Sequence, residues 1–234
     1  MLSERKWELA KVLAVGVIKD IPTNDRLSLS VFSIDTEVRI EAKGQSETLV
    51  SKVQALPSKA RQFGPAPRRT ALFDAILSAA KGGESGPPDT LIVITDGHDT
   101  ASKNDEERVS RVLARSNQRL FAVVIEESGP RGRTPEEVRG RPDLEEIALN
   151  SGGTYTHTLR HGPFSAVANF SKSPNEIAGE LLTMLNLVKQ GIQIEILPMK
   201  SIEKPSRLEL SFADKRKNDR RVLLYPAKLF PCSP

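Results

Sequence analysis

Residues 91–100 read LIVITDGHDT. Leu91 to Thr95 are apolar or β-branched without a break, and they run straight into Asp96, Gly97, His98 and Asp99. A short continuous apolar run bounded by turn residues is the pattern of a strand buried on both faces. Asp-Gly is a turn dipeptide. The stretch therefore places a carboxylate at the tip of a buried strand. In open parallel sheets, ligands gather at the carboxyl ends of the strands. The same ten residues thus raise the question of fold and the question of function.

Moving outward, strands and helices alternate. Residues 3–19 carry Trp7, Ala10, Leu13, Ala14, Val17 and Ile18 at helical spacing, with Ser3 placed to cap the start. Leu27, Leu29 and Val31 alternate with Ser28, Ser30 and Phe32, residues 36–42 alternate too, and Ile34-Asp35 links the two runs as a hairpin. Helices are expected over 45–55 and over 70–81, the second capped by Thr70. The segment 57–69, with three prolines, is expected to be loop, as is 82–88. Residues 89–95 form the clearest buried strand, followed by a helix over 105–117 and a strand over 119–126. Residues 127–143 are rich in Arg, Gly and Pro and read as a long loop. Then come a helix over 144–153 ended by Gly152 and Gly153, a strand over 154–158, and a helix over 173–191 capped by Ser173 and stopped by Gly191.

This order predicts an α/β fold, a doubly wound and mostly parallel sheet with helices on both faces. The character changes near residue 190. Three strand patterns follow without a helix, at 192–198, 206–213 and 220–227. The expected organisation is a main domain over 1–190 and a small β extension over 191–234. So short a piece holds little core of its own and is expected to pack on the main domain.

Composition narrows the function classes. The chain has 234 residues, 38% of them hydrophobic and 27% charged, so it can bury a sizeable core. Net charge is +4, concentrated late in Lys200–Arg207 and in DKRKNDRR (214–221). That run has no aromatic platform and includes two Asp, so it reads as a solvated turn and nucleic acid is not an expected partner. The single cysteine, Cys232, excludes an intrachain disulfide and leaves the compartment open. No 18-residue apolar run is present, so no membrane-spanning segment is expected. MLSERK followed by VLAVGVI has the outline of a signal peptide, but Glu4, Glu8 and Lys11 interrupt it and a helix is the preferred reading.

Enzyme motifs are missing. No Gly-X-Ser-X-Gly elbow, Walker loop or Gly-X-Gly-X-X-Gly occurs. His98 beside Asp99 suggests a metal hydrolase, yet only His157 and His161 remain as partners and no zincin Glu accompanies them. An aspartyl-phosphate enzyme would place a second Asp where His98 stands.

Three pieces together carry a resemblance: ITDGHDT (94–100), TALFDAI (70–76), and NDRLSLSVFS (24–33) between a first helix and a hairpin. The chain resembles the von Willebrand factor type A domain over about residues 1–190. NSGGTYTH (150–157) and LLYPAKLFPC (223–232) further resemble bacterial, Acidobacteria-type relatives of that family, which are often exported. The resemblance implies a site for a divalent cation, usually Mg²⁺, built from three loops. One is Asp-X-Ser-X-Ser after a first strand. The second is a Thr opening a helix, matched by Thr70. The third is the Asp of Thr-Asp-Gly, matched by Asp96. Mg²⁺ takes six oxygens and keeps several waters, so a partner protein's carboxylate can complete it. That implies a non-enzymatic interaction module with an unidentified protein partner.

Two departures qualify that expectation. Asp-X-Ser-X-Ser and its strand do not occur before the first helix, and the expectation is that they lie upstream of Met1. Arg68-Arg69 stand where relatives often carry two glycines, and their charge disfavours a cation. A metal-free scaffold is therefore the second reading, and a hydrolase using Asp96, His98 and Asp99 the third. Each residue also has a plainer role open to it. Asp96 can serve its own turn, Thr70 can cap a helix, Asp74 can suit the helix dipole, and Asp99 can cap the following loop.

Overall fold

The apolar run of the opening stretch is a strand, but it is not the most buried one. A computed structural model describes residues 4–22, 26–32, 37–43, 46–57, 70–80, 90–125, 135–160, 170–171, 173–190, 202–211 and 223–231. In chain order its elements are α1 (Glu4–Asp20), β1 (Arg26–Phe32), β2 (Glu37–Lys43), α2 (Ser46–Gln54), α3 (Leu72–Ala80), β3 (Thr90–Thr95), α4 (Glu106–Arg115), β4 (Arg119–Val124), α5 (Pro135–Asn150), β5 (Thr154–His157), β6 (Leu159–Arg160), β7 (Phe170–Ser171), α6 (Pro174–Lys189), β8 (Ser206–Arg207) and β9 (Lys228–Leu229).

Strands β3, β4 and β5 form a parallel sheet in that order, with Leu91 opposite Leu120 and Phe121 opposite Thr154. Period-two alternation divides β4 between two cores. Leu120, Ala122 and Val124 join α3, α4 and α5 on one face. Phe121, Val123 and Ile125 join α1 and α6 on the other. All six are 0–1% exposed. Full burial of one large apolar side chain contributes about 1.5–3 kcal/mol, so this strand is the centre of stability. The sheet is thus the middle layer of three, as the sequence predicts for an α/β fold.

The hairpin is also as expected. β1 and β2 pair antiparallel, with Leu29 opposite Ile40. Leu27 and Leu29 pack on Ile18, Leu49 and Val53 of α1 and α2. Phe32, on the other face of β1, joins the core beneath α3. Among the described residues, β1 and β3 do not pair, and the two sheets are separate. Leu91 to Ile94 are accordingly half-buried, which corrects the expectation that 89–95 is the clearest buried strand. A strand with one paired edge keeps part of its surface exposed, whatever its composition.

Other boundaries differ for physical reasons. The long loop expected over 127–143 is half helix, because α5 begins at Pro135 and its backbone stays helical past Gly140 and Pro142. Pro at the first helical position followed by two glutamates is a start signal that the Arg/Gly/Pro composition masked. Packing of Leu144, Ile147 and Ala148, all 0% exposed, holds the later turns. The helix ends as read, with Gly152 in the left-handed region at φ 78°. Ser173 and Glu176 form a capping box on α6.

The late strand patterns are shorter than expected. Residues 192–198 lie outside the described residues. Of 206–213, Ser206–Arg207 is strand and pairs antiparallel with Lys228–Leu229, which lies just past the expected 220–227, and residues 212–222 lie outside the described residues. The other described residues of this segment are irregular chain laid on the main body. The Ala227 N–H donates to the Leu149 carbonyl at 3.2 Å, an Arg119 Nη1 donates to the Leu224 carbonyl at 3.3 Å, and Lys228 Nζ lies 3.6 Å from Glu146 Oε1. A Cβ on Gly152 would stand 2.8 Å from the Tyr225–Pro226 backbone, so glycine admits this segment. Among the described residues, no helix is long and apolar enough to cross a membrane.

Candidate functional site

At the carboxyl end of β3 the chain turns on Asp96-Gly97. Gly97 has φ 82°, which favours glycine, and its N–H donates to Thr95 Oγ1 at 3.1 Å. Thr95 and Asp96 are each 4% exposed. A buried carboxylate at a strand tip has lost much of its water and depends on what surrounds it.

What surrounds it is the start of α3, and a dense set of bonds fixes the two segments together. The Thr70 carbonyl accepts from the N–H groups of Thr100 and Ala101 at 2.9 and 3.1 Å. The Thr70 N–H donates to Thr100 Oγ1 at 2.9 Å. The Leu72 N–H donates to Asp99 Oδ1 at 2.9 Å, and Ser102 Oγ donates to the same oxygen at 2.7 Å. Ser102 Oγ in turn accepts from the Asp74 N–H at 3.1 Å. Asp74 returns the tie, accepting from the N–H groups of Lys103 and Asn104 and from Asn104 Nδ2 at 2.6 Å.

This network revises three roles. The first helical residue is Leu72, so Thr70 stands before the helix. The free N–H groups of the first turn are met by Asp99 and Ser102, nearly thirty residues downstream. Asp99 caps α3 as well as bonding Ser102 in the loop that follows it. Asp74 does more than suit the helix dipole, because it fastens residues 103 and 104. Burial raises the Asp74 pKa, but the hydrogen bonds from Asn104 and the Lys103 backbone, with the Lys103 charge, outweigh it and hold the carboxyl below its usual 3.8.

The two residues matched to a cation site are thus on segments bound directly to each other. Thr70 is 8% exposed and, like Asp96, offers an oxygen of the hard type that Mg²⁺ prefers. Two such donors are short of a set. Among the described residues, no group of three or more His, Cys, Asp and Glu side chains is arranged to hold a metal. Arg68, Arg69, His161 and residues 127–134 lie outside the described residues. The residues that sequence reasoning missed are Thr100, Ser102 and Asn104. Their signal was the composition of DTASKND (99–105), almost all capping residues.

A second cluster of charge lies away from the β3 tip. Burial, with Glu146 and Asp143 beside it, pushes the Glu106 carboxyl up to about 7, while Lys228 pulls the other way. It joins α4, α5 and the C-terminal segment.

The family model for the von Willebrand factor type A domain matches residues 1–173. Among solved structures, the chain is similar to a serine-substituted aerotolerance-related membrane protein from Bacteroides fragilis, with TM-score 0.53, 16% identity, and coverage of 77% of this chain and 88% of that one. It is similar to the conserved hypothetical protein BatB from Bacteroides thetaiotaomicron, with TM-score 0.52, 18% identity and the same coverages. Identities this low speak for the fold alone. No curated protein matches. The chain belongs to the von Willebrand factor type A domain family.

Proposed function

We propose that this von Willebrand factor type A domain is a non-enzymatic protein-interaction module. Its docking point is the β3 tip, where Asp96 and Thr70 contribute two oxygens to a Mg²⁺ site. The observation that carries this reading is the bonding of residues 99–104 to residues 70–74, which holds the Asp96 turn and Thr70 in one rigid unit. The remaining donors come from outside the described residues, as the family's Asp-X-Ser-X-Ser loop would supply them. When bound, the cation offers a coordination position to a partner's carboxylate. The chain's own part is to present one buried carboxylate and one hydroxyl in fixed register. Residues 1–190 are the module in this reading, and 191–234 a C-terminal extension.

A second reading is a metal-free scaffold of the same fold, in which Arg68 and Arg69, next to Thr70 in the sequence, replace the cation's charge. A thermal-shift titration separates the two. A Tm raised by Mg²⁺ or Mn²⁺, reversed by EDTA and lost in Asp96→Ala, supports the cation site. A Tm indifferent to all three leaves the scaffold.

A further inference from the structure

Charges of both signs meet where α4 passes α5 and the C-terminal chain lies beside them. Glu106, in the first turn of α4, is half-buried. From α5 it faces Glu146 and Asp143, and from the C-terminal chain Lys228. Lys228 Nζ stands 3.6 Å from Glu146 Oε1, and Asn150 Nδ2 donates to the same oxygen at 3.5 Å. Other charges around this point are committed elsewhere. Glu107 holds Arg111 at 2.7 Å, Glu209 holds Arg207 at 3.2 Å, and Asp74 of α3 is bound to residues 103 and 104. Glu145 stands beside Glu146 on the rim.

Lys228 is carried by chain that a few backbone bonds hold. The Ala227 N–H donates to the Leu149 carbonyl at 3.2 Å, and the Ala227 carbonyl accepts from the Leu208 N–H at 2.9 Å. Between this chain and α5 lies a cleft of about 430 Å³, lined by Leu149, Asn150, Glu146 and Lys228 among others. Water reaches such a cleft and screens its charges, so one added charge changes the hold severalfold and not a hundredfold. A half-buried segment of this kind opens locally, ahead of global unfolding.

We propose that Glu106, Glu146 and Lys228 form a proton-controlled clasp, which holds residues 223–229 on α5 more firmly when Glu106 is ionised than when it carries a proton. The asymmetry comes from which groups move. Glu146 and Asp143 belong to α5 and stay when the segment lifts, whereas Lys228 leaves with it. With the proton on Glu106, Lys228 answers Glu146. Without the proton it answers Glu106 as well, and lifting the segment leaves like charges facing each other. The attached segment thus favours the ionised form, and by linkage ionisation favours the attached segment. Burial first, then Glu146 and Asp143, push the Glu106 carboxyl up to about 7. The added hold is therefore present above about 7 and is lost as pH falls through it. The α4–α5 contact responds in the opposite sense, because ionisation sets Glu106 against Glu146 and Asp143. The clasp does not depend on a cation at the β3 tip.

The test is amide hydrogen exchange on the full chain, read as protection factors so that the intrinsic pH dependence of exchange is removed. From about pH 5.5 to about pH 8.5, protection at Ala227 is expected to rise roughly threefold, centred near about 7. Glu106→Gln removes the titrating group, and Lys228→Met keeps an apolar stem without the charge. Each should abolish the rise. The Ile125 N–H, bonded to the Thr95 carbonyl at 2.7 Å in the central sheet, reports global opening. The proposal is overturned if protection at Ala227 stays level or falls with pH, or if the rise survives in either variant. An equal rise at Ile125 overturns it too, because the effect would then belong to the whole fold.

Discussion

Leu91 and Leu120 are the same residue type, face the same core and stand opposite each other in one parallel ladder. Leu120 is 0% exposed and Leu91 is half-buried. The difference is not in the residues or in the local sequence, since both strands read as continuous apolar runs. It lies in what flanks them. β4 has a strand on either side, and β3 among the described residues has one. Burial of a strand interior is a property of the sheet, and a one-strand sequence window does not contain it.

The closed side of β4 is so tight that it offers the severest test. Gly153 lies directly against the Leu120 backbone, where a Cβ would collide with the Leu120 carbonyl. Gly153→Ala is expected to cost about 4–5 kcal/mol or more, or to yield no folded protein. Urea unfolding or soluble yield reads this. A near-neutral result would mean that the β4–β5 edge is looser than it looks.

The matched pair comes next. Leu120→Ala is expected to lose about 3–5 kcal/mol, and Leu91→Ala about half as much, because a half-exposed side chain has less transfer energy and leaves a smaller cavity. Equal losses in denaturant melts would show that β3 is as buried as β4 in solution, and the contrast would break.

Although β3 pairs on one edge among the described residues, its tip is anchored through α3. Asp99→Ala removes the acceptor for both the Leu72 N–H and Ser102 Oγ, and a cap of this kind contributes about 1–2 kcal/mol. The variant should also weaken any Mg²⁺ response without removing either Thr70 or Asp96. Thermal shift with and without Mg²⁺ measures both effects.

Two carboxyls give smaller, opposite pH signatures. The Asp74 pKa is held down in the fold, so its contribution is present above the unfolded value of 3.8 and is lost as pH falls through the folded one. Glu106 is raised from 4.5 to about 7. Its contribution is present below 4.5 and lost as pH rises through about 7. Tm is therefore expected to decline from acid toward neutral pH on account of Glu106, and Glu106→Gln should flatten that slope. Asp74→Asn should flatten the acid limb alone. Both are read from Tm against pH. An unchanged slope in Glu106→Gln would detach the C-terminal segment from the comparison, because its Lys228 is part of the same cluster.

How much was legible beforehand varies by element. Helices with a stripe of buried residues, such as α1 and α6, were found at nearly their observed bounds, and the hairpin was read from alternation alone. Thr70 and Asp96 were singled out from short patterns, and the fold does bring their segments together. Asp74 and Asp99 were given local roles, because a single sequence shows which residues are near in the chain and not which are near in space. Their true partners stand nearly thirty residues away. The strand pattern over 206–211 was overread, since alternation in Arg207–Ser211 marks a partly exposed segment without saying whether another strand is beside it.

The sequence by itself determined the α/β order, the family pattern and the turn that carries Asp96. Local propensity, apolar period and turn chemistry act over a few residues, and those are complete within the chain. The tertiary structure alone decided the rest. It set which carboxylate caps which helix, why Gly152 and Gly153 admit no side chain, and why one apolar strand is sealed while its neighbour stays half-buried. Those outcomes depend on backbone groups finding partners across the fold, and a hydrogen bond or a shared core is a relation between distant segments that neither segment encodes alone.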